Sequence, residues 1–197
     1  MVLARFNFNK GRAPAGEAGF SLIETMIATM LLATALAGTA QLIAVATKGN
    51  IAARRTTFAT TLAQEKMEQL RGLAWGFDAL GLPISDYRTN LTTDPAGADG
   101  VGLSPSPGDA LSSNVMGYVD YLDGAGNSLG GGATPPLAAA YVRRWSIEPL
   151  PTNPNNTLIF QVLVFSAGDR ANGGQGTVLE RGRDEARLVT VKTRKSR

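Results

Sequence analysis

A long apolar run at residues 20–46 dominates the hydropathy pattern, and Glu24 is the single ionisable residue inside it. About 20 apolar residues in a helix cross a bilayer, so the run is long enough for a membrane span. Basic residues ahead of the run favour a cytoplasmic N-terminus, although Arg54 and Arg55 beyond it make the asymmetry modest. The pattern therefore predicts a membrane-spanning helix or a secretion signal.

A helical period continues beyond the apolar run, over residues 47–75. Phe58, Leu62 and Leu70 share one broad apolar face, whereas Glu65 falls largely outside it. The two segments together predict one helix of about 80 Å, with an apolar half and an amphipathic half.

The remainder of the chain reads as a turn-rich segment followed by strands. Residues 76–137 are rich in Gly, Pro, Ser and Asp, with one strand-like stretch at 115–122, and a connection this long is typically functional or mobile. Alternating or continuous apolar residues predict strands at 140–150, 157–166 and 185–193. We therefore predict an α+β fold, in which the amphipathic part of the helix packs on a small antiparallel sheet.

The composition argues against catalysis. The chain has 197 residues without Cys or His, which excludes thiolate chemistry and removes the commonest general base and the commonest transition-metal ligand. Asp120 and Asp123 have a faintly calcium-like spacing that matches no EF-hand, and a structural turn is the simpler interpretation. We expect no enzymatic activity, no metal and no cofactor.

An ordinary signal peptide is an alternative interpretation of the apolar run. Ala35-Leu36-Ala37, before Gly38, is an acceptable cleavage site. A carboxylate within the run is costly in a membrane unless it is paired, and a disposable signal has no use for Glu24. The helical pattern also continues past this site to about residue 74, which favours a retained helix.

Residues 19–28, Gly-Phe-Ser-Leu-Ile-Glu-Thr-Met-Ile-Ala, resemble the processing site of type IV pilin-like proteins. The resemblance implies that a prepilin peptidase cleaves between Gly19 and Phe20 and methylates the new amine of Phe20, which makes residues 1–19 a leader peptide. Glu24 would then pair with the Phe20 amine of a neighbouring subunit and fix the axial register. The leader is longer than usual in this family, so translation beginning further downstream stays open.

Residues 62–71, Leu-Ala-Gln-Glu-Lys-Met-Glu-Gln-Leu-Arg, are similar to a stretch of PilV-type minor pilins and related pseudopilins. The two resemblances imply a pilin-like fold: an assembly helix at 20–46, an amphipathic helix at 47–75, a variable loop at 76–137 and a sheet at 138–197. They imply a minor structural subunit that is inserted in the inner membrane and then joins a type IV pilus, where it initiates or modifies assembly. Its partners would be the prepilin peptidase and other pilin-like subunits.

Three other functions stay open. The chain could serve as a type II secretion minor pseudopilin, as a subunit of a DNA-uptake pilus, or as a secreted periplasmic domain. The DNA-uptake alternative would use the basic residues between Arg181 and Arg197, a segment that contains seven Lys and Arg residues and two acidic residues. A terminal basic run is more often a solvated end, so we do not expect nucleic acid as a partner.

Overall fold

The computed structural model describes residues 19–168 and 185–194 of the chain. The predicted leader up to residue 18, and Arg181, Arg183, Lys195 and Arg197 of the basic run, lie outside the described residues. One helix precedes six strands, which confirms the α+β class. The elements are α1 (Leu22–Gly72), β1 (Trp75–Phe77), β2 (Pro83–Ser85), β3 (Val119–Leu122), β4 (Tyr141–Pro149), β5 (Thr157–Ser166) and β6 (Ala186–Thr193).

The chain forms two units, Met1–Thr47 and Lys48–Arg197, and we call the second unit the head. In the first unit, the described helical residues are exposed to solvent, and threonine hydroxyls in the apolar run donate to carbonyls of the preceding turn. These hydroxyls are thereby satisfied within the helix, as a membrane requires. Within the described residues, α1 is the one helix long and apolar enough to span a membrane; its most apolar window has mean hydropathy 1.7 and is not buried.

In the head, the C-terminal part of α1 packs on the sheet with the predicted face. Leu62 and Leu70 are buried and Phe58 packs against them, as the helical period predicted. The helix ends at Gly72, three residues before the predicted boundary, and β1 begins at Trp75.

The main sheet has four antiparallel strands in the order β3-β4-β5-β6. The predicted strands at 140–150, 157–166 and 185–193 are confirmed as β4, β5 and β6, with Trp145 opposite Val162 and Phe160 opposite Thr190. Side chains that face α1 alternate along each strand, and Trp145 and Phe160 are completely buried among them. A smaller apolar cluster covers part of the opposite face; it comprises Val119, Tyr121, Val142, Leu163 and Phe165.

The segment 76–137 is more structured than the sequence indicated. The prediction of a single strand there was wrong, because β1 and β2 pair in a hairpin with Trp75 opposite Ser85. Of the strand-like stretch 115–122, only the part assigned to β3 is a strand. The segment also supplies Leu91 and Leu103 to the hydrophobic core, so it belongs to the folded head.

Candidate functional site

The first candidate site is the junction that precedes α1. Gly19 and Phe20 lie outside the helix, and no described residue approaches within 4 Å of a Cβ placed on Gly19. The Phe20 side chain is 79% exposed. A peptide bond in an exposed, non-helical segment can enter the extended binding cleft of a protease, so the geometry leaves the Gly19–Phe20 bond accessible.

Glu24 lies in the first turn of α1, where its backbone is held by Ser21. The N–H of Glu24 donates to the Ser21 carbonyl at 3.1 Å and to the Ser21 hydroxyl at 3.3 Å, an N-cap arrangement. The Glu24 side chain is exposed, and it forms no ion pair within the described part of the chain. The positive end of the helix dipole stabilises a carboxylate at this position, which leaves its oxygens available to an external cation.

The apolar half of α1 exposes an uninterrupted set of large side chains, including Ile23, Met26 and Met30, each more than 60% exposed. A contiguous apolar surface of this extent marks a membrane or partner contact in a folded protein. Glu24 therefore stands at the N-terminal border of a surface that must be covered.

The second candidate site is a buried charge cluster in the head, formed by Lys66 of α1, Asp120 of β3 and Arg143 of β4. Asp120 accepts from Arg143 Nε at 2.9 Å and from Arg143 Nη2 at 2.8 Å, and Lys66 Nζ lies 2.8 Å from Asp120 Oδ2. Lys66 Nζ also donates to the Leu91 carbonyl at 2.5 Å and sits 4.6 Å from the centre of the Trp145 ring. All three charged side chains are at most 2% exposed.

Burial sets the electrostatics of this cluster. Desolvation is the largest effect on the pKa of Lys66 and, together with the neighbouring Arg143 charge, outweighs the attraction of Asp120, so that this pKa falls from 10.5 to about 8. Glu65 supports the cluster from its rim, since its carboxylate lies 3.6 Å from Arg143 Nη1 and is 45% exposed. The arrangement ties the helix to two strands.

Sequence reasoning missed this cluster. Lys66 lies four residues from both Leu62 and Leu70, so the helical period places it in the middle of the buried face. A cation at such a position indicates a buried anion on the facing element, and this signal could have identified Lys66. It could not have selected Asp120 or Arg143, because their proximity arises from strand pairing.

Asp120 and Asp123, which have the calcium-like spacing, play two separate structural roles. Asp123 accepts from the backbone N–H groups of Ala125 and Asn127 at 2.8 and 2.9 Å, and a hydrogen bond from the Asn127 side chain lowers its pKa. Asp120 points instead into the buried cluster. Over residues 19–168 and 185–194, no group of three or more acidic, His or Cys residues could hold a metal ion.

The described basic residues near the C-terminus bond to the head itself. Lys192 Nζ donates to the carbonyl of Arg71 in the last turn of the helix and to that of Leu73 just beyond it. Arg194 lies 3.6 Å above the Trp75 ring and donates to the carbonyl of Gly76 at 3.0 Å. These contacts join β6 to the end of α1 and to the β1–β2 hairpin.

Comparison with protein-family models, with curated proteins and with solved structures gives no match for this chain. A functional assignment therefore depends on the residues and the geometry described above.

Proposed function

We propose that this chain is a minor pilin-like structural subunit with a pilin-like fold. The apolar half of α1 anchors it in the inner membrane, with the N-terminus in the cytoplasm and the head in the periplasm. Prepilin peptidase cleaves between Gly19 and Phe20 and methylates the Phe20 amine, and the mature subunit joins a type IV pilus to initiate or modify its assembly.

One observation carries this proposal: α1 spans Leu22–Gly72, from an exposed apolar half to a half that packs within the head. A signal peptide cut before Gly38 would divide this helix within its apolar run. Cleavage before Phe20 would leave it whole, and Gly19 and Phe20 lie in an exposed, non-helical segment at its start. The continuous helix therefore supports a retained anchor over a disposable signal.

Glu24 supports the same proposal through electrostatics. Cleavage creates a charged amine on Phe20 at the border of the apolar surface, where a cation is costly unless it is paired. Glu24 carries an exposed carboxylate at the same border. If helices of adjacent subunits pack side by side, the amine of one and the carboxylate of the next satisfy each other and fix the axial stagger.

Filament co-purification tests this function. Glu24→Ala should still be processed and inserted in the membrane, but it should be lost from sheared filaments, because the Phe20 amine of its neighbour has no partner. Glu68→Ala is a matched control, since Glu68 is an exposed carboxylate on the same helix, 70% exposed and outside the apolar run. Incorporation of Glu24→Ala at the level of the control would contradict the proposed role.

The same preparation distinguishes the kinds of filament. The proposed function predicts that the protein sediments with pili and disappears from the sheared fraction when the major pilin is deleted. Sedimentation that depends instead on the major subunit of a secretion pseudopilus would assign the chain to that system and contradict the pilus assignment.

A further inference from the structure

Among the described residues, no strand pairs with the outer edge of β6 in the main sheet. In the β5–β6 ladder, the N–H of Arg194 donates to the Asn156 carbonyl at 2.8 Å, just beyond the paired strands. Antiparallel hydrogen-bonded pairs recur every two residues, so the even-numbered residues of β6 bond to β5. The N–H and C=O groups of Arg187, Val189, Val191 and Thr193 consequently point away from β5, toward the open edge.

The opposite edge of the sheet is protected. Along β3, the N–H of Tyr121 donates to the Gly130 carbonyl at 2.9 Å, and the Tyr121 carbonyl accepts from the N–H of Leu129 at 2.8 Å. No described segment forms a comparable ladder with the outer edge of β6. The β1–β2 hairpin lies close to the C-terminal end of β6, since β1 contacts this strand and Arg194 donates to the Gly76 and Ile84 carbonyls, but the hairpin forms a separate two-stranded sheet and does not pair with β6.

The open edge also carries exposed apolar side chains. Val189 is 60% exposed and Val191 is 56% exposed, and both lie on the face of the sheet opposite α1. A strand that combines outward backbone groups with exposed valines is a template for another strand, and natural edges are usually blocked by a charge, a proline or a bulge. Within β6 the charged side chains are Arg187, which bonds to Gln161, and Lys192, which bonds to the carbonyls at the end of α1, so neither charge lies at a valine position.

We propose that β6 pairs in an antiparallel arrangement with β6 of a second copy of this chain. The proposed register places Val189 opposite Val191 of the second copy, and Val191 opposite Val189 of the second copy. Because this register is two-fold symmetric, the outward backbone groups of the two strands can satisfy each other. All four valines then lie together on one face, where apolar β-branched pairs stabilise a sheet.

The charges in β6 are compatible with this register. Arg187 falls opposite Thr193 of the second copy, and Lys192 falls opposite Leu188, so no two cations are directly opposed. A shift of the register by four residues in one direction would place Lys192 opposite Lys192, which is unfavourable. In the valine register, a second β6 strand can therefore pair without direct opposition of like charges, and no strand with acidic residues is required. The proposal rests on the head alone and does not depend on the proposed function.

Cysteine crosslinking of the full chain in detergent micelles tests the register. The chain has no cysteine, so introduced thiols are the only ones present. Directly opposed Cβ atoms lie about 5 Å apart and diagonal ones about 7–8 Å, so Val189→Cys mixed with Val191→Cys should oxidise to at least about fivefold more disulfide dimer than either variant alone. Leu80→Cys is the control for random collision, because this side chain is 84% exposed in another part of the head.

Equal dimer yields from the mixture, the single variants and the control would overturn the proposal, as would a crosslink to a different protein in whole membranes.

A second variant tests the backbone pairing. Val191→Pro removes an N–H that β5 does not use, so the tryptophan fluorescence of the folded head should be retained while sedimentation shows loss of the dimer. Val191→Thr is the matched control and should remain dimeric. A Val191→Pro protein that stays folded and dimeric would also refute the pairing.

Discussion

Replacement of Asp120 by asparagine is the sharpest test of the buried charge cluster. Among the described residues, the Asp120 carboxylate is the only buried anion that contacts Lys66 and Arg143, with three N–O distances of 2.8–2.9 Å. Asparagine keeps the size of the side chain but leaves Lys66 and Arg143 without a buried counter-charge, since the remaining carboxylate near Arg143 is the half-exposed Glu65. Removal of one partner from a buried ion pair costs about 3–5 kcal/mol, so we expect a loss of this size in the free energy of unfolding.

Two comparison variants give this prediction an order. Lys66→Met leaves the bidentate contact between Asp120 and Arg143 intact and vacates the hydrogen bond to a carbonyl, which should cost about 1–3 kcal/mol. Glu65→Gln removes a half-exposed carboxylate at 3.6 Å from Arg143 and should cost less than about 1 kcal/mol. The expected order of destabilisation is Asp120→Asn, then Lys66→Met, then Glu65→Gln.

Urea unfolding of the full chain in detergent micelles measures these differences. Tryptophan fluorescence is a suitable signal, since Trp145 lies directly beneath the Lys66 ammonium and reports on the cluster. A stable domain has only about 5–15 kcal/mol of folding free energy, so a loss of 3–5 kcal/mol shifts the midpoint clearly. If Asp120→Asn were no more destabilising than Glu65→Gln, the reasoning about unpaired buried charge would be refuted.

Three further predictions concern the head. The pKa of Lys66 is about 8 in the folded chain, below its ordinary value of 10.5, so the unfolded chain binds more protons between pH 8 and pH 10.5. The free energy of unfolding should therefore rise by roughly 3 kcal/mol across this window. Lys66→Met, titrated in the same way, is the reference that lacks this rise. Gly100→Ala should lower the free energy of unfolding, measured in urea, by about 1–3 kcal/mol, because a Cβ at this position meets a backbone atom at 2.2 Å. Gly76→Ala is the control, since a Cβ there has no described neighbour within 4 Å and should cause no loss from crowding. Arg194→Gln should lower the free energy of unfolding by about 1–3 kcal/mol, because it removes the guanidinium that stacks on the Trp75 ring and the hydrogen bonds of that group to backbone carbonyls. It should also change the Trp75 fluorescence, and an unchanged emission spectrum would contradict the stacking.

Hydrophobic periodicity alone located the helix and the strands in which burial follows a regular pattern. The β5 segment is nearly all apolar because both of its faces are covered along most of its length, whereas the neighbouring β6 alternates between more buried and exposed positions. The helix face around Leu62 and Leu70 follows from the helical period for the same reason. The short strands β1 and β2 lacked such a signal, since three residues each, with Pro and Gly among them, are too few to show a period.

The polar interior of the head depends on contacts that are distant in sequence. Asp120 and Arg143 meet because β3 pairs with β4 in a register that places the two residues opposite each other. Lys66 joins them only when α1 lies across these strands. Sequence spacing indicates each residue's face on its own element, but the partner is set by packing between elements, which is why the cluster was not predicted. Likewise, the turn-rich composition of 76–137 concealed core residues such as Leu91 and Leu103.

The central claim is that the chain is processed as a pilin-like subunit, and the N-terminus of the mature protein tests it most directly. N-terminal sequencing and mass spectrometry should be performed on protein from cells with and without prepilin peptidase. The proposed function predicts a chain that begins at methylated Phe20 only when the peptidase is present. A chain that begins near Gly38 in both strains would contradict it, because the apolar half of α1 would then be a signal peptide and the head a free periplasmic domain.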